Sequence, residues 1–173
     1  MPEDRKTGQL TRADIFYYGG WCHNGIHVVD ILHYLFAKEL LDLTVIENND
    51  MGKDDPTWTV RCRLDGINAV IWIHGLSDNF FQLFDLDFKF TNGRLQIRNF
   101  ESDIKWETVE VNEKGESVLI PSKLFEFDAK TSPFEIAYAE ILDYLQSGEA
   151  SNLPMVTLNE ISPSMKILWS ING

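Results

Sequence analysis

The sequence predicts an α+β domain, an open and mostly antiparallel sheet of five to seven strands with helices packed on one face. Three observations carry this. Two alternating runs turn back on themselves at Asp65-Gly66 and Asn92-Gly93, and further alternating runs follow at residues 104–111 and 117–120. Successive strands joined by tight turns become antiparallel neighbours. Residues 25–40 and 133–147 each show one apolar stripe at helical spacing, and such a stripe needs a surface to cover. Finally, 173 residues with 44% apolar and 24% charged content suffice for one core and are short for two, so residues 1–173 read as a single domain.

Taken in order, residues 1–10 (MPEDRKTGQL) read as a frayed, polar start without the apolar core of a signal peptide. Residues 13–18 (ADIFYY) make a short strand that delivers the chain to Gly19-Gly20. Asn24 then caps a helix over residues 25–40, whose buried side is Ile26, Val29, Leu32 or His33, Phe36 and Leu40. Residues 42–47 are strand-like. The polar stretch 48–56 holds Asp50, Asp54 and Asp55 without the acceptor order of a calcium loop, and reads as a solvated turn.

In the first hairpin Leu64 faces Ile67, Cys62 faces Ala69, Val60 faces Ile71 and Trp58 faces Ile73, giving one wholly apolar face. The other face carries Thr59, Arg61, Arg63, Asn68, Val70, Trp72 and His74. In the second hairpin Thr91 pairs with Arg94, Phe90 with Leu95, Phe88 with Ile97 and Asp87 with Arg98. Ser132-Pro133-Phe134-Glu135 is a capping box opening the second helix, which Gly148 ends. A turn at 157–161 leads into a last helix at 162–170.

The formal charge of -12, with no Lys/Arg cluster, speaks against nucleic acid and against an anionic membrane surface. Residues 26–37 are interrupted by His27, Asp30 and His33 and fall short of a bilayer span, so a cytoplasmic protein is expected. Cys22 and Cys62 have no metal or redox spacing and read as reduced thiols. There is no G-x-G-x-x-G, Walker A or Gly-x-Ser-x-Gly pattern.

Three of the four histidines lie within residues 19–40. His23 precedes His27 by one turn, and Asp30 and Tyr34 continue a stripe beside the apolar face. Ionisable groups there are either satisfied core residues or a site, and imidazole suits proton transfer because it titrates near neutrality. Tyr18, Trp21, Asn24 and Tyr34 are the candidates to line a ligand subsite, although aromatics so placed also serve as core filling. Cys22, His23, His27 and Asp30 form an alternative zinc set, since histidines four apart share a helix face.

Gly25-Ile26-His27-Val28-Val29-Asp30, followed by Ile31-Leu32-His33-Tyr34-Leu35-Phe36, resembles a known helix. It is the G-x-H-x-x-D helix opening the C-terminal domain of the glucose–fructose oxidoreductase / inositol dehydrogenase (Gfo/Idh/MocA) family. Phe88-Lys89-Phe90-Thr91-Asn92-Gly93-Arg94-Leu95-Gln96-Ile97 is similar to that family's G-T-x-G-x-L-x-I hairpin. The two fall in family order, and most of the chain can be laid on that domain.

The resemblance implies a sugar, nucleotide-sugar or polyol substrate. It also implies NAD or NADP held by an N-terminal Rossmann domain that supplies a catalytic lysine. No segment here matches that domain, so this chain is expected to bind no cofactor and to be inactive alone, its Met1 being an internal start, a domain boundary or a truncation. The resemblance places His27 beside the reacting carbon, where it orients the hydroxyl and exchanges its proton. Asp30 matches the family aspartate and holds the helix or His27. His23 stands where the family commonly has an aspartate.

Two other readings compete: a stand-alone non-enzymatic binding or scaffold protein, and a small metal-dependent enzyme using the cluster from Cys22 to Asp30. Val70 and Trp72, joined by Leu83, leave apolar groups on the sheet face away from the helices. Self-association there, as a homodimer or higher, is therefore expected, with Arg61 and Arg63 pairing Asp85 and Asp87.

Overall fold

The computed structural model describes residues 7–49, 54–77, 81–98, 103–122, 162 and 164–167. Along the chain run β1 (Leu10–Tyr18), a π-helical turn (Trp21–Gly25), α1 (Ile26–Phe36), β2 (Leu40–Asn48), β3 (Trp58–Leu64) and β4 (Ile67–Leu76). Then follow β5 (Asp85–Phe90), β6 (Gly93–Arg98), β7 (Asp103–Val111) and β8 (Ser117–Pro121). The eight strands form one sheet in the order β2-β3-β4-β1-β5-β6-β7-β8, one strand more than the upper end of the expected range.

Every neighbouring pair is antiparallel except β1 and β4. The first strand is thus inserted at the centre, between two hairpins that form later in the chain. Its alternation fits that place: Ala13, Ile15 and Tyr17 are wholly buried, while Asp14 and Phe16 lie on the other face.

Among the described residues the core lies on one face of the sheet. Val28, Val29 and Leu32 of α1 are fully buried against Ile15, Val60, Ile71, Ile73 and Phe88, and each such side chain contributes about 1.5–3 kcal/mol by leaving water. Residues 162 and 164–167 are helical, and Met165 and Ile167 pack on the same core. Helices on one face of an open, mostly antiparallel sheet is the expected architecture. The helix expected at 133–147, the turn at 157–161 and the rest of the last helix lie outside the described residues.

Several local expectations need correction. Helix α1 stops at Phe36 because Ala37 takes a left-handed conformation (φ 50°) and donates its N–H to the His33 carbonyl, 2.8 Å away. Leu40 accordingly begins β2 opposite Leu64 and does not end a helix. Residues 7–10 are tied down: Gln9 donates to Thr91 Oγ1 at 3.1 Å, Thr91 donates to the Gln9 carbonyl at 2.9 Å, and Leu10 pairs with Phe90.

In the first hairpin Leu64 does face Ile67, but a register shift then sets Cys62 against Ile71 and Val60 against Ile73. In the second, Phe90 pairs with Gly93 and Phe88 with Leu95, so the turn is Thr91-Asn92. Gly93 enters the strand because β7 passes close to it. A Cβ on Gly93 would sit 2.5 Å from the Glu107 carbonyl oxygen. Asp87 consequently meets Arg94 at 2.6 Å and Lys89 at 3.2 Å in place of Arg98. Both slips are of two residues, so every side chain keeps its predicted face.

Candidate functional site

The site candidates sit where β1 ends and the chain enters α1. Gly19 (φ 69°) donates its N–H to the Leu76 carbonyl at 3.0 Å, and its own carbonyl accepts from Thr57 Oγ1 at 2.8 Å. Trp21 N–H reaches the Pro56 carbonyl at 2.9 Å. Asp55 then spans the mouth of the π-helical turn. Its two carboxylate oxygens accept the N–H groups of Cys22 (2.7 Å) and His23 (3.0 Å), the groups a helix start leaves without partners. Gly20 leaves room for it, since a Cβ there would lie 1.9 Å from Asp55 Oδ2. The residues before β3 thus latch the stretch that carries the histidines.

On that latched stretch His23 and His27 are exposed, Asp30 is half-buried and Tyr34 is 82% exposed. They occupy the outward stripe, with Val28, Val29 and Leu32 on the opposite side, so neither histidine is a core residue. His33 is the inward one, its Nδ1 buried without a partner among the described residues.

The remaining candidates do not join this stripe. Trp21 is fully buried, edge-on to Tyr17 (5.9 Å between ring centres) and tilted on Trp58 (6.1 Å). It is core, and no ring face is left for a sugar, because the π-helical turn rotates it inward beneath Gly25. Tyr18 falls with Asp14 and Phe16 in the alternation of β1, on the sheet face away from α1. Asn24 does not cap the helix; its amide donates to the Tyr18 carbonyl at 2.8 Å and closes the loop from inside. Among the described residues no three His, Cys, Asp or Glu side chains come together as a metal-binding group, the Cys22 to Asp30 set included.

Asp55 is the support of this stretch that sequence reading missed, for it carries no local signal beyond a polar loop. It also bears on the cofactor. A dinucleotide phosphate would need the free N–H groups of a Gly-rich turn. Those of Cys22 and His23 are already held by a carboxylate that repels phosphate. These residues do not fit a dinucleotide phosphate.

The outer sheet face has two halves. Over β4 and β1, His74 is stacked between Phe16 (4.7 Å, 20°) and Trp72 (6.0 Å, 9°). Burial holds His74 below the usual imidazole range, with Asp14 pulling it back up. Over β5 to β7 the face is an ion-pair lattice. Asp14 accepts from Arg12 and Lys89, each at 2.8 Å, and Lys105 reaches Glu107 at 2.6 Å. Hydrogen bonding to Arg12, against the opposing effect of burial, brings Asp14 down to about 2. Burial pulls Asp87 up, but Arg94 and Lys89 outweigh it and hold that carboxyl low. Within the chain Asp87 pairs with Arg94 and Lys89, and Arg63 pairs with Asp42.

No family model matches the sequence, and no curated protein matches it. Solved structures do. A dehydrogenase (MviM) from Clostridium difficile superposes with a TM-score of 0.61 at 16% identity, covering 97% of this chain and 55% of its own. The chain has the fold of the glucose–fructose oxidoreductase family. A super-repressor mutant of Gal80p from Saccharomyces cerevisiae matches with a TM-score of 0.60 at 14% identity, over 96% of this chain and 56% of its own. UDP-N-acetylglucosamine 3-dehydrogenase from Acidithiobacillus ferrooxidans matches with a TM-score of 0.56 at 9% identity, over 85% and 48%. The chain thus spans about half the length of the solved chains it matches. At these identities the likeness is one of fold. Among the described residues no helix is long and apolar enough to cross a membrane.

Proposed function

We propose that residues 1–173 form the substrate-side and oligomerisation domain of an NAD(P)-dependent oxidoreductase acting on a sugar, nucleotide sugar or polyol. The cofactor is held elsewhere. The observation that carries the reading is the outward stripe of His23, His27 and Asp30 on a helix start pinned by Asp55. An exposed imidazole on a fixed backbone can orient a hydroxyl and take its proton. His27 has that role, His23 hydrogen-bonds a neighbouring hydroxyl, and Asp30 holds the helix side of the stripe. Tyr34 offers a ring to the apolar face of a sugar.

The outer sheet face supports self-association. Two chains of charge -12 repel each other. On this face, however, Arg12, Arg61, Lys89, Arg94 and Lys105 balance Asp14, Glu47, Asp85, Asp87 and Glu107, and Phe16, Trp72 and the 40% exposed Val70 supply apolar area at its centre. A second copy is the occupant that matches both features.

Two measurements test the reading. Calorimetric titration with a panel of sugars and polyols should give binding that His27→Ala and His23→Ala abolish, and unchanged heats in both variants would refute the site. Sedimentation equilibrium at micromolar protein should show a dimer that Trp72→Asp dissociates, and a strict wild-type monomer would refute the interface. A second reading, a non-enzymatic binding or scaffold protein, is favoured by His23 at the position where the family commonly has aspartate. It predicts ligand binding without turnover when a cofactor-binding partner domain is supplied.

A further inference from the structure

His74 is the one histidine of the outer face, and its surroundings give it a task beyond packing. It stands on β4 beside the central strand of the sheet, ring-stacked on Phe16 and Trp72. A cleft of about 380 Å³ opens next to it, lined by Glu47, Asn49, Thr59 and Ser77 among others. The charged groups that face it are Asp14 and Arg12 on β1, Arg61 on β3 beside Trp72, Glu47 on β2 across Thr59, and Asp85 on β5 across Phe16. Arg12 and Lys89 already hold the Asp14 carboxylate. The Asp14 carboxylate, which favours the protonated ring, is thus shared with two cations, and Glu47 lines the same cleft.

We propose that self-association through the outer sheet face is gated by the protonation of His74, the dimer forming with the neutral imidazole and coming apart as the ring gains a proton. This rests on the reading of that face as the self-association surface. Covering the stack with a second copy removes its remaining water, and desolvation disfavours the charged form of a histidine. Ordinary carboxylates titrate below pH 5, which leaves imidazole as the group on this face that changes charge between pH 8 and pH 5.5. His23, His27 and His33 lie with α1 on the other side of the sheet and do not enter the interface. Each protomer contributes one His74. By linkage the dissociation constant therefore rises by up to about a hundredfold per pH unit once the ring titrates.

The test is sedimentation equilibrium of the wild-type chain from pH 8.0 to pH 5.5, beside His74→Phe, which keeps a ring in the stack without a proton to gain. His74→Gln serves if the phenylalanine variant fails to fold. The expected result is a wild-type dimer several-fold weaker at pH 5.5 than at pH 8.0, with the steepest loss at the acid end, and a variant whose dissociation constant stays flat. A wild-type dimer that is indifferent to pH, or one that weakens in step with the variant, overturns the role of His74 and leaves the interface standing. A wild-type chain that is monomeric at every pH overturns the interface itself.

Discussion

Replacing Tyr17 by Phe removes one oxygen atom and should cost far more than its size suggests. Tyr17 is fully buried, and its hydroxyl donates to the Trp58 carbonyl at 2.8 Å while accepting the Trp58 N–H at 2.9 Å. That single hydroxyl serves both backbone groups where β3 begins and its ladder with β4 has not yet closed. Gly75 on β4 makes the space: a Cβ there would lie 2.6 Å from the Trp58 carbonyl oxygen and 2.9 Å from Tyr17 Oη. In Tyr17→Phe a buried N–H and a buried C=O lose their partner together. At about 1–3 kcal/mol for each buried group left unsatisfied, less some relaxation, the loss should be about 2–4 kcal/mol. In urea this moves the unfolding midpoint down by on the order of 1 M for a domain of this size. Gly75→Ala should cost a similar amount by steric exclusion of the same hydroxyl. Because both act on one contact, the double variant should lose less than the sum. A Tyr17→Phe loss below about 0.5 kcal/mol would mean that water reaches Trp58, and would refute the reasoning.

Asp55→Ala should lower stability by about 0.5–2 kcal/mol through the lost cap on the Cys22 and His23 amides, and amide exchange at those two positions should rise first. Gly20→Ala should reproduce that exchange pattern, because its Cβ evicts the Asp55 carboxylate. Asp14, at about 2 in the folded state, adds stability that is complete above its unfolded pKa and is lost as pH falls toward 2. The acid limb of a pH–stability curve should therefore flatten in Asp14→Asn. Burial pushes the Cys62 thiol up to about 12, so in native protein a thiol reagent should modify the exposed Cys22 quickly and Cys62 only after unfolding.

What the sequence determined by itself is the faces. Period-2 alternation in residues 58–74 and 84–98 assigned side chains to the core or outer face, and the helical stripe put Val29 inside while leaving Leu32 or His33 open. The same property explains why both hairpin registers were misread. A slip of two residues leaves every face as it was, so no pattern of polarity can detect it, and only the approach of β7 to Gly93 decided the second one.

The histidine stripe was legible because helical spacing is local, and most of its supports were not. Trp21 and His23 stand two residues apart, yet one is core and the other exposed, since both lie in a π-helical turn that points them to opposite sides and is held by bonds to Asp55 and Pro56. Thr57 and Tyr17 likewise act on residues about forty positions away. The parallel pairing of β1 with β4 is of the same kind: β1 enters the centre of the sheet between hairpins that follow it in the chain. Side-chain period is a property of neighbouring residues. Which strand ends up beside which, and which carboxylate closes a turn, is settled by contacts that exist only once the chain has folded.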